Sequence, residues 1–438
     1  MMSFVPSTEE LLLLTAVDFQ QMEEFARRPL VIERAEGLFL WDAAGKRYFD
    51  AIGGIFVAVL GHRHPRVMEA MRRQMERITF APPLHSIADV TLEFIAKLGA
   101  ITPANLNYVK PFSGGSEAVE AAFKFTRQFF KQIAQPARYK VVSRYHGYHG
   151  GTFGAMAASG TGPRKTPFEP QMPGFLKVPP PTYYRDRFSD WEECNRFAAR
   201  AFEDVILNED PSTVAAIIVE PIGNTGGIVT PTDEYFRILR QIADRYGVML
   251  IFDEIITGFA KTGSMFAAET FGTTPDIMCL GKGISSGAIP LAAMAARQEM
   301  GDAFLGRPEQ QLQFMHGHTY AGNPLACAAG IAVMDEIVEK RLWEKAARLG
   351  AYLRPKLEAL SRHGVVREVR GKGILLGVEL TDPKIGTALK TTAIDNGVIL
   401  RVDPGWFAVS PPLIAEESDL DEMCALIEKS LVQAIEQA

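Results

Sequence analysis

The sequence predicts an α/β fold: a large, mostly parallel sheet sandwiched by helices, with a smaller α+β domain beside it. Three observations carry that expectation. Short apolar or β-branched runs alternate with long amphipathic stretches through the middle of the chain, the pattern of strands joined by crossover helices. The runs are apolar almost throughout, as in Ala215-Ala216-Ile217-Ile218-Val219, which fits a sheet covered on both faces. The 438 residues, 47% of them apolar, exceed what one core of about 250–300 residues accommodates, so two domains are expected.

In chain order, the first 60 residues carry a hairpin signal, Leu38–Asp42 and Arg47–Asp50 around Ala44-Gly45, and are expected to pack with the small domain. Residues 61–330 form the large domain. Its predicted strands are Tyr139–Arg144, Val214–Pro221, Val248–Ile255, Ile277–Leu280 and Leu291–Ala296, and its helices include Glu117–Gln135, Thr232–Tyr246 and Pro324–Glu339. Residues 331–438 make the small domain. There a charged helix, Trp343–Leu360, precedes strand-like Val365–Val369 and Ile374–Leu380, a helical Lys384–Asn396, a strand Val398–Val402 and a last helix from about Asp419.

Composition narrows the function classes. A formal charge of −6 and a pI near 5.9 give no electrostatic reason to expect nucleic acid or an anionic membrane, which favours small-molecule partners. Cys194, Cys279, Cys327 and Cys424 lack metal-ligand or disulfide spacing, so no metal is expected. The run Leu11–Leu14 follows Glu9-Glu10 rather than a basic leader, and no apolar run reaches about 18 residues. A cytoplasmic protein is expected.

The chemistry begins at Lys282, isolated between glycines in Leu280-Gly281-Lys282-Gly283 just past a predicted strand. Such a lysine can swing its amine onto a bound carbonyl, and Asp253, at the end of a neighbouring strand, can hold a protonated ring nitrogen. Glycine-flanked lysines are common in solvated turns, so the weight falls on what accompanies this one. Ser113-Gly114-Gly115-Ser116 opens the helix at Glu117 and offers an anion cradle. Arg144-Tyr145-His146-Gly147-Tyr148-His149-Gly150-Gly151-Thr152 follows a strand end and supplies an aromatic face where ligands of open α/β folds bind. Glu220 ends another buried strand. Cradle, aromatic, acid, ring acid and lysine follow in the order that a pyridoxal phosphate site requires.

With those residues in place, the sequence resembles the class III pyridoxal-phosphate aminotransferases of fold type I, from Gly37-Leu38-Phe39-Leu40-Trp41-Asp42 to Pro411-Pro412-Leu413-Ile414. The densest stretches are Ile251–Phe259 and His316-Gly317-His318-Thr319-Tyr320-Ala321-Gly322-Asn323-Pro324. The resemblance implies a seven-stranded sheet, pyridoxal 5'-phosphate as cofactor, Lys282 as its Schiff-base lysine, and Asp253 on the pyridine nitrogen. It implies further that Tyr148 stacks on the ring, Ile255 packs on the opposite face, Gly115 and Ser116 hold the phosphate, and His149 and Glu220 line the site. Thr319 would reach the phosphate of a neighbouring subunit, which makes a homodimer the minimal active unit, with a tetramer of paired dimers as the alternative assembly.

Departures from the family pattern narrow the substrate. Gly151 stands where relatives acting on γ-aminobutyrate, ornithine or acetylornithine carry an arginine, and Ala408 where they place a second one. Arg401 instead resembles the mobile arginine of amine:pyruvate aminotransferases, able to meet a keto-acid carboxylate and swing aside for an apolar amine. Phe56 falls at an aromatic wall of the substrate pocket, and Trp406 either forms a lid or packs. Gly223-Asn224 replaces a glutamine that contacts the ring hydroxyl; Asn224 or a water would take its place. The implied activity is ω-amine:pyruvate transamination by a ping-pong cycle, with racemisation, epimerisation or decarboxylation as alternatives on the same scaffold.

Overall fold

The computed structural model describes residues 7–182 and 184–438. Near the N-terminus, β1 (Ile32–Glu36), β2 (Phe39–Asp42) and β3 (Arg47–Asp50) form an antiparallel meander. The large sheet holds β4 (Tyr108–Phe112), β5 (Lys140–Arg144), β6 (Phe175–Val178), β7 (Val214–Val219), β8 (Met249–Asp253), β9 (Ile277–Leu280) and β10 (Ala292–Ala296). Its order is β4-β10-β9-β8-β7-β5-β6. The C-terminal part contributes β11 (Val366–Lys372), β12 (Leu375–Leu380), β13 (Val398–Ile399), β14 (Arg401–Asp403) and β15 (Trp406–Val409).

The pairs β9-β8-β7-β5-β6 are all parallel, so these strands end on one edge of the sheet. Strand β10 departs from the expected parallel set, because it runs antiparallel to both β4 and β9. The 281–291 connection holds only a 3-10 turn, and a parallel return needs a crossover of a dozen residues or more. The two strands absent from the sequence reading, β4 and β6, are the sheet's edges. Half-exposed edge strands lack the continuous apolar run that marked the central ones, and Pro111 inside β4 is tolerated where one side of the strand needs no ladder partner.

Helix boundaries follow local chemistry. Thr232 Oγ1 accepts from the Tyr235 amide to start helix Asp233–Tyr246, and Gly247, at φ 62°, ends it in the left-handed conformation. Helix Pro324–Glu339 begins with Asn323 Oδ1 accepting from the amides of Leu325 and Ala326.

The predicted strand over 398–402 is broken at Leu400. Val398-Ile399 pairs in parallel with Phe49-Asp50 of β3, whereas Arg401–Asp403 pairs antiparallel with β15 in the other small sheet. The first 60 residues are therefore joined to the last 60 by backbone hydrogen bonds. Ion pairs Arg47–Glu422 and Arg28–Asp395 and hydrogen bonds from Lys46 Nζ to the carbonyls of Ile394 and Asp395 reinforce the seam. Among the described residues no helix is long and apolar enough to cross a membrane.

Gly350 lies in helix Leu342–Glu358, where a Cβ would overlap the carbonyl oxygen of Gly373 in the tight β11–β12 turn. Gly-to-Ala in a helix ordinarily stabilises by about 1 kcal/mol, but backbone overlap costs about 1–3 kcal/mol and has nowhere to relax. Gly350→Ala is thus expected to lower the urea midpoint, read by circular dichroism.

Candidate active site

At the carboxyl edge of the large sheet, the ends of β5, β7, β8 and β9 and the loop after β4 converge on a cavity of about 170 Å3. Gly115, Ser116, Tyr148, His149, Glu220, Asp253, Ile255 and Lys282 all line it, so eight residues singled out from the sequence are brought together, along with Gly150, Ile222 and Ile256.

Asp253 is the best-anchored group. Its Oδ2 lies 2.8 Å from His149 Nδ1 and its Oδ1 accepts from the Ile255 amide at 3.2 Å. A carboxylate facing Nδ1 fixes that nitrogen as the donor, leaving Nε2 as an acceptor, and Nε2 is buried without a protein partner. The adjacent Glu254 points to the other side of the strand, as alternation requires. There it accepts from Thr257 Oγ1 and the Ala267 and Ala268 amides, while burial pushes its carboxyl up to about 7.

Glu220 accepts from the Tyr148 amide at 3.0 Å and from the Asn224 amide at 3.2 Å. Burial raises its pKa, opposed by Arg144, whose Nη2 donates to the Glu220 carbonyl at 2.5 Å. Lys282 sits just past β9 in the left-handed region, at φ 46°, and lines the cavity. Burial pushes its amine down, against the attraction of Asp253 and Glu220.

Glycines shape the remaining walls. A Cβ on Gly115 or Gly281 would come within 3.0 and 2.9 Å of Ile255 Cδ1, so the isoleucine is wedged between two bare backbones. A Cβ on Gly150 would meet Ser116 Oγ at 2.5 Å. Ser116 Oγ accepts from the Gly151 amide, and Glu117 caps the Ser113 and Gly114 amides, which therefore are not free for an anion as the sequence suggested.

Five predicted residues lie elsewhere. Phe56 is not in the cavity wall: left-handed backbone at Gly53, Gly54 and Phe56 itself turns its ring into the core, at 1% exposure. Trp406 is not a lid, because it is a strand residue paired with Glu379 and Asp403 in β15 and is buried. Arg401 is outside the wall as well; it is ion-paired with Asp403 and its guanidinium carbon stands 5.3 Å from the Trp406 ring centre. Thr319 is exposed on the turn preceding helix Pro324–Glu339. Asn224 does not reach the wall, and Gly223 packs against Arg144, whose Nη2 would be 3.0 Å from a Cβ there.

Sequence reasoning missed Lys261. Its amine is buried, donates to the Phe56 carbonyl at 2.6 Å, and is pushed down to about 7 by burial and then by Lys282. Its signal was a lone charge directly after the apolar pair Phe259-Ala260.

The residues present suit pyridoxal phosphate: an amine and a buried carboxylate share one cavity, a buried histidine nitrogen has no protein partner, and glycines stand beside Ile255. The family model described as aminotransferase class-III matches residues 22–431. The chain is a class III aminotransferase. It is 35% identical over 421 residues to a probable aminotransferase of Mycobacterium tuberculosis, covering 92% of this chain and 89% of that protein. Similarity to an ω-amino acid–pyruvate aminotransferase of Pseudomonas putida is 31% over 369 residues, 83% of this chain and 82% of the other. An ω-transaminase structure from Pseudomonas jessenii, in complex with PMP, superposes with a TM-score of 0.94 at 29% identity over 99% of both chains. The aminotransferase uses pyridoxal phosphate, of which PMP is the aminated form.

The buried Lys261 gives this aminotransferase a pH signature. Its folded pKa lies below the usual lysine value near 10.5, so its burial cost is full below about 7 and is relieved as pH rises toward 10.5. Stability from this group therefore increases with alkalinity. Lys261→Met is expected to reduce the gain in urea midpoint between pH 7 and pH 9.5 (values chosen within the window of about 7–10.5).

Proposed function

We propose that this aminotransferase moves an amino group from a primary ω-amine or amino acid to a keto acid such as pyruvate, in a ping-pong cycle centred on Lys282. The observation that carries this reading is the convergence of Lys282, Asp253 and Tyr148 on one cavity. When bound, pyridoxal phosphate supplies an electron sink for the carbanion formed at the substrate carbon. Lys282 Nζ would hold it covalently and, when free, would carry a proton at that atom. Asp253, oriented by His149 and the Ile255 amide, would pair with its ring nitrogen. Tyr148 and Ile255 would flank it, and Gly115 and Ser116 at the helix N-terminus would receive its phosphate.

Arg401 meets the keto-acid carboxylate by exchanging Asp403 for it and retreats for an uncharged amine. Phe56 and Trp406 shape the pocket from behind, through packing rather than contact. The relatives named above are aminotransferases, which favours transfer over racemisation, epimerisation or decarboxylation on the same scaffold. The working unit is a homodimer, or a tetramer of such dimers, in the cytoplasm, with Thr319 completing the neighbouring subunit's site. Exposed Phe80, Leu84, Met315 and Tyr320 near that turn support a covered face. Division into 1–60, 61–330 and 331–438 belongs to the same proposal, supported by the β3–β13 pairing.

Borohydride reduction of the cofactor-loaded enzyme followed by peptide mapping is expected to label Lys282; a label elsewhere refutes the reading. Replacing Asp253 by Asn should cut kcat by about two orders of magnitude or more, since the ring loses its charge partner. Arg401→Ala is expected to slow the pyruvate half-reaction far more than that of a carboxylate-free amine, measured by stopped-flow absorbance. Equal losses would remove the role given to Arg401.

A further inference from the structure

Arg144, the last residue of β5, is a buried cation at 2% exposure that the proposed cycle leaves without a role. Its Nη2 donates to the Glu220 carbonyl and stands 3.0 Å from the position that a Cβ on Gly223 would take. Nη1 has no protein partner, and no carboxylate among the described residues forms an ion pair with the guanidinium. The Tyr235 hydroxyl, also buried, lies beside it. Hydrogen bonding alone does not account for such a group, because a buried charge that leaves donors unmet is costly unless another charge answers it.

The answering charge is Glu220. Its Oε1 accepts from the Tyr148 amide and its Oε2 from the Asn224 amide, so this side chain ties the aromatic wall of the cavity to the turn after β7. Both bonds need an acceptor, and a protonated carboxyl would turn one of its oxygens into a donor facing an N–H. Burial favours that neutral acid; Arg144 and then His149 oppose it, Asp253 favours it as a like charge in the same cavity, and the Tyr148 amide opposes it. Lys282, in the same wall, is in turn held toward its charged form by Asp253 and Glu220. Two glycines keep these groups together. A Cβ on Gly147 would lie 3.4 Å from His149 Nε2 and 3.5 Å from Glu220 Oε1, and a side chain at Gly223, where the chain departs from the family pattern, would press on the guanidinium.

We propose that Arg144 is a positioning residue: its buried charge holds Glu220 as the carboxylate that fixes Tyr148 and the Asn224 turn around the bound cofactor. This deepens the transaminase reading and rests on the cavity's holding that cofactor. Arg144 is not part of the cavity wall, so it acts through Glu220.

The test is calorimetric titration of the full chain, freed of cofactor, with pyridoxamine phosphate, which has no carbonyl to react with Lys282. Arg144→Gln keeps a donor for the Glu220 carbonyl but no charge. It is expected to weaken binding by about tenfold or more at mildly acid pH, the scale of a lost hydrogen bond to a charged group. The loss should shrink as pH rises and Glu220 ionises unaided, and Arg144→Lys should restore most of the affinity. Glu220→Gln should bind weakly at every pH, and adding Arg144→Gln to it should cost nothing further. No loss in Arg144→Gln, a loss equal at all pH values, or one that persists undiminished beside Glu220→Gln would overturn the role of Arg144 while leaving the transaminase reading intact. Should Arg144→Gln not fold, the wild type decides: infrared difference spectra against Glu220→Gln are expected to show a carboxylate at neutral pH, and a protonated carboxyl there overturns the proposal. A wild type with no affinity for pyridoxamine phosphate refutes the transaminase reading itself, and the proposal with it.

Discussion

The short contact between His149 Nδ1 and Asp253 Oδ2 governs the rest of the site. A carboxylate at 5% exposure is costly unless its lone pairs are met, and here an imidazole N–H and a backbone amide meet them. The bond joins the loop after β5 to the last residue of β8, so it holds only if β5, β7 and β8 are in register. It also sets the tautomer of His149 and fixes the acid in the direction from which it faces the cavity. A neighbouring layer does the same for Glu220, whose two oxygens tie Tyr148 to Asn224. The aromatic residue and the acid that line the cavity are thereby tied to the backbone around it.

Much of this was legible before any coordinates. Central strands buried on both faces announce themselves as apolar runs, and an acid or lysine at the end of such a run is conspicuous because burial there demands a partner. That logic located Asp253, Glu220 and Lys282. It could not see the His149–Asp253 pair, whose members are 104 residues apart. Phe56 packs away from the cavity wall, and Trp406 takes the packing alternative, for a related reason. An aromatic side chain reads identically whether a loop presents it to a ligand or a left-handed turn folds it into the core. The direction of β10 and the break at Leu400 depended on connection length and sheet membership, which no periodicity records.

Arg401 and Arg164 illustrate two ways of anchoring a cation. One rests on an internal carboxylate, Asp403; the other packs against the ring faces of Phe19 and Tyr148. Because Arg401 sits one residue after the point where the chain passes from one small sheet to the other, its backbone is fixed from both sides, and reorientation falls to its side chain alone.

The seam between β3 and β13 has a bearing on biogenesis. Residues 47–50 leave the ribosome about 350 residues before their pairing partner at 398–399, a separation read from the pairing itself. The carbonyl of Phe56 likewise waits for Lys261, 205 residues downstream. The side of β3 that faces β13 must therefore remain unpaired until residues 398–399 have emerged, although β2 can pair with its other side at once. Contacts of such long sequence separation slow folding and prolong the exposure of aggregation-prone surface. Chaperone dependence during synthesis, rather than fragility of the finished molecule, is where this architecture is most vulnerable.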